Sequence, residues 1–90
     1  MPTVIVYHEI DDKEHWLTSP KREELLGSLG VKIRTFVDPQ NVHRAAVLAE
    51  VPDMTAFQSM MMSPTAADAM SADGVRADTV VMLFEHDASA

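Results

Sequence analysis

The sequence contains no cysteine among its 90 residues. Disulfide bonds, thiolate catalysis and cysteine-ligated zinc or iron–sulfur centres are therefore excluded. Basic residues are also scarce, with 7 Lys and Arg against 14 Asp and Glu, which gives a formal net charge of −7. Because nucleic acids and anionic membrane surfaces attract clustered positive charge, this balance predicts that the protein binds neither of them.

Long apolar runs are missing as well. No stretch approaches the ~20 apolar residues of a transmembrane helix, and residues 1–3 lack the basic start of a secretory signal. We therefore expect a cytoplasmic protein. The three glycines, Gly27, Gly30 and Gly74, form no phosphate-binding array, so we expect no nucleotide and assign no other cofactor.

The residues that are present are those of an ordinary globular domain, with 47% hydrophobic and 23% charged side chains. We predict one domain over residues 1–86 and a loose C-terminal tail over residues 87–90. A chain of this length buries only about 60–65% of its unfolded surface, so its core is marginal without disulfides, a metal or a second subunit.

Hydrophobic periodicity predicts four strands. Residues 3–8 are β-branched and aromatic, residues 31–38 alternate between apolar and polar, and residues 44–51 and 79–85 form two further apolar runs. The turn residues around Pro39 favour a hairpin between the second and third strands.

Capping residues predict two interrupted helical regions between these strands. Ser19 before Pro20 predicts an N-cap that restarts the first region, and Ser63 before Pro64 repeats the signal in the second. Gly30 is suited to the left-handed position after a helix, and Gly74 closes the second region in the same way.

The resulting order is strand, helix, strand, strand, helix, strand. It predicts an α+β, ferredoxin-like βαββαβ fold: a four-stranded antiparallel sheet with the helices on one face. The first strand is apolar on both sides, with Val4 and Val6 opposite Ile5 and Tyr7. Because the helices cover only one face, we predict a homodimer in which the two sheets pack face to face; a monomer with a solvent-tolerant sheet is the alternative.

Several local patterns match a known group of proteins. They are a strand that ends in His8, the spacing from Asp12 to Trp16, and the segments 50–54, 63–64, 66–67 and 70–75. On these residues the chain, from Val4 to Glu85, resembles the dimeric α/β-barrel superfamily. Within it, the chain is similar to small cyclase-like or antibiotic-biosynthesis-monooxygenase-like proteins.

The resemblance implies a dimeric α/β barrel with a pocket between the sheet and the helices of each subunit. Members of the superfamily include cofactor-free oxygenases, lactone isomerases, haem-degrading enzymes and proteins without an assigned activity. Because they share no single catalytic set, the resemblance transfers no catalytic residues to this chain.

His8 is the first candidate for chemistry. It follows Val4 and Val6 on one face of a strand, where an imidazole beside an apolar wall can act as an acid or a base near neutral pH. Tyr7 or Arg34 would then stabilise negative charge on the substrate. Alternatively, His8 is a core residue bonded to a carbonyl, and Arg34 pairs with Glu50 of a second subunit.

Large apolar side chains are candidates for binding the body of a ligand. Trp16 either offers a flat wall to a planar molecule or fills the gap between the first helix and the sheet. Methionines at helical spacing either pack the core or adapt to varied ligands. The predicted ligand-binding residues are Trp16, Met54, Phe57, Met61 and Met70.

The histidines offer a weaker alternative. His8, His15 and His43, with Glu9, are residue types that bind zinc, iron or copper, and one of these histidines could ligate haem. Their spacing matches no compact metal motif, so we assign no metal site.

These observations predict a cytoplasmic homodimer that binds a small apolar or aromatic molecule. If it is an enzyme, the expected reaction is a cofactor-independent isomerisation, cyclisation or monooxygenation that begins with proton abstraction by His8. The alternatives are a non-catalytic ligand-binding or accessory dimer, and haem or metal binding through histidine.

Overall fold

A computed structural model describes residues 2–86; Met1 and the predicted tail, residues 87–90, lie outside the described residues. The chain order of the regular elements confirms the predicted order, with both helical regions divided in two. The elements are β1 (Thr3–Glu9), α1 (Lys13–Thr18), α2 (Lys21–Gly27), β2 (Lys32–Asp38), β3 (Asn41–Glu50), α3 (Met54–Met61), α4 (Pro64–Ala72), a short 3-10 helix (Ala77–Thr79) and β4 (Val81–Phe84).

The four strands form one antiparallel sheet in the order β2-β3-β1-β4. The central strand β1 pairs with β3 and β4, so that Val6 lies opposite Val47 on one side and Met82 on the other. This strand order, with helices between β1 and β2 and between β3 and β4, is the predicted ferredoxin-like arrangement.

The core lies between one face of this sheet and the helices. Val4 and Val6 of β1 are buried there with Val47 of β3, and Trp16 of α1 and Phe57 of α3 close the core from the helix side. Trp16 and Phe57 are the largest fully buried side chains among the described residues. Because large aromatic side chains remove the most apolar area from water, these two contribute most to holding the helices on the sheet.

Three helices begin at side-chain caps. The carboxylates of Asp12 and Asp53 accept hydrogen bonds from backbone amides three residues later, at 3.2 and 3.1 Å. The Ser63 hydroxyl accepts a bond from the amide of Ala66 at 3.2 Å, and Pro64 occupies the first turn of α4. Such caps satisfy amides that have no partner within the helix.

The predicted N-cap at Ser19 is wrong. The residue that precedes α2 is Pro20, and it provides no side-chain cap. The Ser19 hydroxyl lies 2.5 Å from a carboxylate oxygen of Asp73 instead, and it also accepts a 3.3 Å bond from the Lys21 amide. The Ser19 hydroxyl thus keeps a bond to the first amide of α2 and adds a long-range partner, Asp73, that the sequence does not predict.

The last strand begins two residues later than predicted. Thr79 ends the 3-10 helix, and its hydroxyl accepts the amide hydrogen of Glu9 at 2.8 Å. The same hydroxyl donates to the carbonyl of Arg76 at 2.6 Å. These bonds hold Thr79 beside the end of β1, so β4 starts only at Val81.

The other face of the sheet is apolar and exposed, which confirms that the strands are apolar on both sides. We call it the outer face and define it by Ile5, Tyr7, Phe36, Val81 and Leu83, which are 37–50% exposed. Cross-strand pairs place Leu83 beside Ile5 and Val81 beside Tyr7. An exposed apolar surface of this kind is typical of an interaction site.

Within residues 2–86, none of the helices combines the length and hydropathy needed to cross a membrane.

Two glycines near the end of α2 should respond in opposite ways to replacement by alanine. Gly30 has a φ of +73°, so Gly30→Ala places a side chain in the left-handed region and should reduce the free energy of unfolding by about 1–2 kcal/mol. Gly27 lies in the helix with no atom within 4 Å of an added Cβ, so Gly27→Ala should raise it by about 0.5 kcal/mol. Urea unfolding measures both; equal effects of the two substitutions would contradict this assignment.

Candidate functional site

A cavity of about 70 Å³ lies between the sheet and the helices. Apolar side chains from β1, β3 and all four helices form most of its wall. The described residues that line it are Val6, His8, Trp16, Arg22, Leu25, Leu26, Val47, Ala49, Phe57, Met60, Met61, Ala66, Ala69, Met70, Asp73 and Val75. The resemblance to the dimeric α/β-barrel superfamily implies a pocket in this position.

His8 reaches the cavity because the alternation of β1 turns it to the same face as Val4 and Val6. It is 6% exposed, and its Nδ1 atom has no hydrogen-bond partner among the described residues. Burial lowers the pKa of His8, and the positive charge of Arg22 lowers it further, while the neighbouring backbone of Glu9 opposes them. At neutral pH the ring is therefore neutral and can accept a proton.

Trp16 of α1 contacts His8 edge to face. The ring centroids are 5.6 Å apart and the planes meet at 76°. Trp16 is completely buried, and its indole Nε1 has no hydrogen-bond partner among the described residues. The predicted packing role is confirmed, and the ring also brings a hydrogen-bond donor to the wall of the cavity.

Arg22 of α2 stacks on the face of the same indole ring. Its guanidinium carbon is 4.1 Å from the centroid of the Trp16 ring, a cation–π contact, and its Nη1 donates to the carbonyl oxygen of Trp16 at 2.8 Å. Its Nε atom is buried and has no partner among the described residues. Burial lowers the pKa of Arg22, and Asp73 and Glu23 oppose this effect, so the group remains charged.

Asp73 supplies the negative charge nearest to Arg22. It follows the end of α4, and its side chain is 4% exposed. One of its oxygens accepts the Ser19 hydroxyl hydrogen, and the other lies 3.8 Å from Nη1 of Arg22. This second distance is longer than a hydrogen bond, so Asp73 offsets the charge of Arg22 without occupying its donors.

The cavity thus has an apolar body and one polar end. Three buried nitrogen atoms at that end, His8 Nδ1, Trp16 Nε1 and Arg22 Nε, have no partner among the described residues. The indole and guanidinium nitrogens are donors only. The arrangement can bind an acceptor atom of a small molecule and can take a proton from it at His8.

The structure places most of the predicted ligand-binding residues together. Trp16, Phe57, Met61 and Met70 line the cavity, and so does His8, the first of the predicted catalytic residues. Met54 is partly buried and packs against the core cluster beside it, outside the cavity wall.

Tyr7 and Arg34 do not join His8, so the predicted set of catalytic residues is not assembled within one chain. Successive side chains of a strand point to opposite faces, and Tyr7 therefore lies on the outer face at 41% exposure. Arg34 lies on the same face, with its guanidinium carbon 5.7 Å from the ring centroid of Phe36. The sheet separates both residues from the cavity.

Arg22 and Asp73 also line the cavity, although nothing in the sequence singled them out. Arg22 stands in the charged segment 21–24 and looks like a solvated helix residue, and Asp73 looks like part of a helix end. Their burial depends on the break between α1 and α2, which brings α2 to the end of α4. The interruption at Pro20 is the only sequence signal that points toward this contact.

The histidines do not gather as a metal site would require. His15 Nε2 lies 2.7 Å from the carbonyl oxygen of Ala72, and His43 Nδ1 lies 2.9 Å from that of Ile10. Within residues 2–86 no group of three or more His, Cys, Asp or Glu side chains could hold a metal ion.

The size of the cavity limits its occupant. A volume of about 70 Å³ is roughly half of the ~150 Å³ cavity that holds benzene in an engineered protein core. An aromatic ligand therefore fits only if the walls move, and the three lining methionines are the side chains best able to do so. A molecule of a few carbon atoms needs less rearrangement.

Comparisons with known proteins support the fold. No protein-family model matches the chain, and the search of curated proteins found no match. Among solved structures, the chain is similar to one described as an antibiotic biosynthesis monooxygenase, with 16% identity, a TM-score of 0.65, and coverage of 97% of this chain and 98% of that chain.

Two further solved structures extend the likeness. A dimeric ferredoxin-like protein of unknown function from Jannaschia sp. CCS1 is 15% identical, with a TM-score of 0.66 and coverage of 96% of this chain and 98% of that one. An ethyl tert-butyl ether D family protein from Bacillus halodurans is 10% identical, with a TM-score of 0.52 and coverage of 97% and 99%. Likenesses at this identity confirm the ferredoxin-like fold and leave the reaction open.

The buried His8 should make stability depend on pH. Because its pKa in the folded protein lies below the ordinary value of 6.5, the unfolded chain binds more protons just below that pH. The stabilising contribution of neutral His8 to the free energy of unfolding is complete above about pH 6.5, and it is lost as the pH falls toward the lower pKa of the folded state. The urea midpoint should therefore fall between about pH 7.5 and about pH 5.5 more in the wild type than in His8→Gln.

The matched control is His86→Gln, which removes an exposed histidine. It should keep the wild-type decrease in the midpoint. An equal decrease in the wild type and in His8→Gln would show that His8 does not titrate as its burial requires.

Proposed function

We propose that the protein binds a small molecule in the cavity between sheet and helices and that His8 exchanges a proton with it. The observation that carries this proposal is the set of three unpartnered buried nitrogens, on His8, Trp16 and Arg22, at one end of an otherwise apolar cavity. Convergent polar groups in an apolar pocket are typical of ligand sites.

The energetic basis is the cost of these unpaired groups. A buried donor or acceptor without a partner costs about 1–3 kcal/mol, and more when the group is charged. A ligand with an acceptor atom would recover part of this cost by bonding to these groups. The apolar body of the same ligand would fill the methionine-lined part of the cavity. A core that served packing alone would be more stable with apolar residues at these positions.

The chemistry begins at His8. The neutral ring accepts a proton from an acidic C–H or O–H bond of the bound molecule, whose electron pair stays behind as an anion. The positive charge of Arg22 stabilises that anion, the role for which the sequence suggested Tyr7 or Arg34. Isomerisation and cyclisation both start with this step. In a monooxygenation the anion gives electrons to O2, one oxygen atom joins the substrate carbon, and the other leaves as water with protons from the substrate, so that the substrate is the reductant.

The solved structure described as an antibiotic biosynthesis monooxygenase shares the fold, which is compatible with this class of reaction. The non-catalytic alternative retains the cavity and omits the proton transfer. It predicts that the molecule is bound without turnover and that its affinity does not depend on proton transfer at His8.

The test of catalysis starts from the molecule that copurifies with the protein, identified by native mass spectrometry. His8→Gln should reduce its turnover by about 10²- to 10⁴-fold, because a general base of this kind contributes that much to the rate. His86→Gln should leave turnover unchanged. Equal rates for His8→Gln and the wild type would reject His8 as the base, and binding without turnover by the wild type would favour the non-catalytic alternative.

We also propose that two copies of the chain associate through the outer face. Five large apolar side chains are exposed there, and the helices cover the other side of the sheet. One protein of similar fold is described as dimeric. A second copy of the chain would cover the outer face in full, with Arg34 of each subunit placed to meet Glu50 of its partner at the margin.

A charge placed on the outer face should separate the subunits. Leu83 is 50% exposed on this face, beside Ile5, so Leu83→Glu should convert a dimer at micromolar concentration into a monomer in sedimentation equilibrium. Met62 at the end of α3 is 85% exposed and away from this face, so Met62→Glu is the matched control and should stay dimeric. A monomeric wild type, or a dimer unaffected by Leu83→Glu, would contradict the proposal.

A further inference from the structure

The polar end of the cavity favours one kind of ligand atom. Trp16 Nε1 and Arg22 Nε can only donate hydrogen bonds, and neither has a partner among the described residues. A ligand that meets them must present an acceptor. A purely apolar molecule would leave both donors unpaired, and an ammonium group would add a second positive charge beside Arg22.

The charge of Arg22 distinguishes further between acceptors. Arg22 and Asp73 are the charged side chains among the described residues that line the cavity. Asp73 lies 3.8 Å from the nearest guanidinium nitrogen of Arg22 and accepts the Ser19 hydroxyl with its other oxygen. Hydrogen bonds from a guanidinium to an anionic oxygen are roughly twice as strong as neutral ones, so a charged acceptor gains more here than an amide or a ketone.

His8 allows an anion to be buried in the cavity, because it can supply the compensating positive charge. It is the third polar group at the same end of the cavity, and it is in edge contact with Trp16. When an acid enters as its neutral form, His8 can take the proton and balance the resulting anion as an imidazolium. The cavity then holds no additional net charge, which is the condition for burying an ionised group.

The volume sets the size of the molecule. About 70 Å³ bounded by methionine, leucine and valine side chains admits an apolar body of a few carbon atoms. The side chains that α3 contributes to the lining, Phe57, Met60 and Met61, offer no hydrogen-bond donor to a second functional group.

We infer that the cavity takes a compact organic oxyanion, with its oxygen at Trp16 and Arg22 and a short apolar body against the methionines. This inference rests on the proposed function, because it specifies the ligand of the same cavity. It names a class that carboxylates and enolates share, and it excludes organic cations and unsubstituted hydrocarbons of the same size.

Trp16 makes the inference directly measurable, since it is the only tryptophan of the chain. The indole N–H of a ¹⁵N-labelled protein gives a single side-chain signal that reports on the polar end of the cavity. We would titrate the wild type with propanoate, with its neutral isostere propanamide, and with propylammonium. Propanoate should shift the indole signal and bind about tenfold more tightly than propanamide. Propylammonium should not bind.

Two variants assign the preference to Arg22. Arg22→Gln removes the charge over Trp16 and should reduce propanoate affinity about tenfold, to that of propanamide. Lys21→Gln removes the same charge from the neighbouring exposed position, and it should change propanoate affinity less than twofold, as expected for a screened surface charge. If Arg22→Gln does not fold, the comparison of the three probes in the wild type still tests the preference for an oxyanion.

Each outcome separates this inference from the proposed function. Binding of propanamide as tight as that of propanoate would overturn the oxyanion and leave a cavity that binds small molecules. Binding of propylammonium would overturn it as well. No shift of the indole signal with any of the three probes would count against both, because the cavity would then hold no more than water.

Discussion

The stacking of Arg22 on Trp16 organises the polar end of the cavity. It places a charged group 4.1 Å from the centroid of a completely buried indole ring, and it does so across the junction of two short helices. Because burial of a guanidinium is costly, the contact requires the nearby carboxylate of Asp73 and the carbonyl of Trp16. The Nε atom of Arg22 is left without a partner among the described residues, in a side chain that lines the cavity.

The alternation of β1 separates two surfaces with different roles. Val4, Val6 and His8 point into the core, and Ile5 and Tyr7 point outward. A shift of one residue in the pairing of this strand would exchange them, so its register fixes both the cavity and the outer face. The hydroxyl of Thr79, bonded to the amide of Glu9 at the end of β1, helps to hold that register.

The sequence predicts the fold well because local and global signals agree. The cap at Ser63 and the left-handed glycines Gly30 and Gly74 lie where the sequence predicts them. The sequence also singled out His8, by its strand position, and Trp16, by its size, and both line the cavity.

Long-range contacts were not recognisable from the sequence. Asp73 accepts a hydrogen bond from Ser19 across 54 residues of chain. Arg22 is partly buried because α2, after the break that follows α1, packs beside the end of α4. Arg34 and Tyr7 were grouped with His8 by chemistry alone, although the alternation of the strands places them across the sheet. Side-chain type indicates what a residue can do, and the packing of distant segments decides which residues act together.

The most direct measurement is a crystal structure of the purified protein at a resolution that shows ordered solvent and small ligands. It should show non-protein density in the cavity in contact with Trp16 Nε1, Arg22 Nε and His8 Nδ1. A structure in which these three nitrogens bond to other protein groups, or in which the side chains close the cavity, would contradict a ligand site at this position.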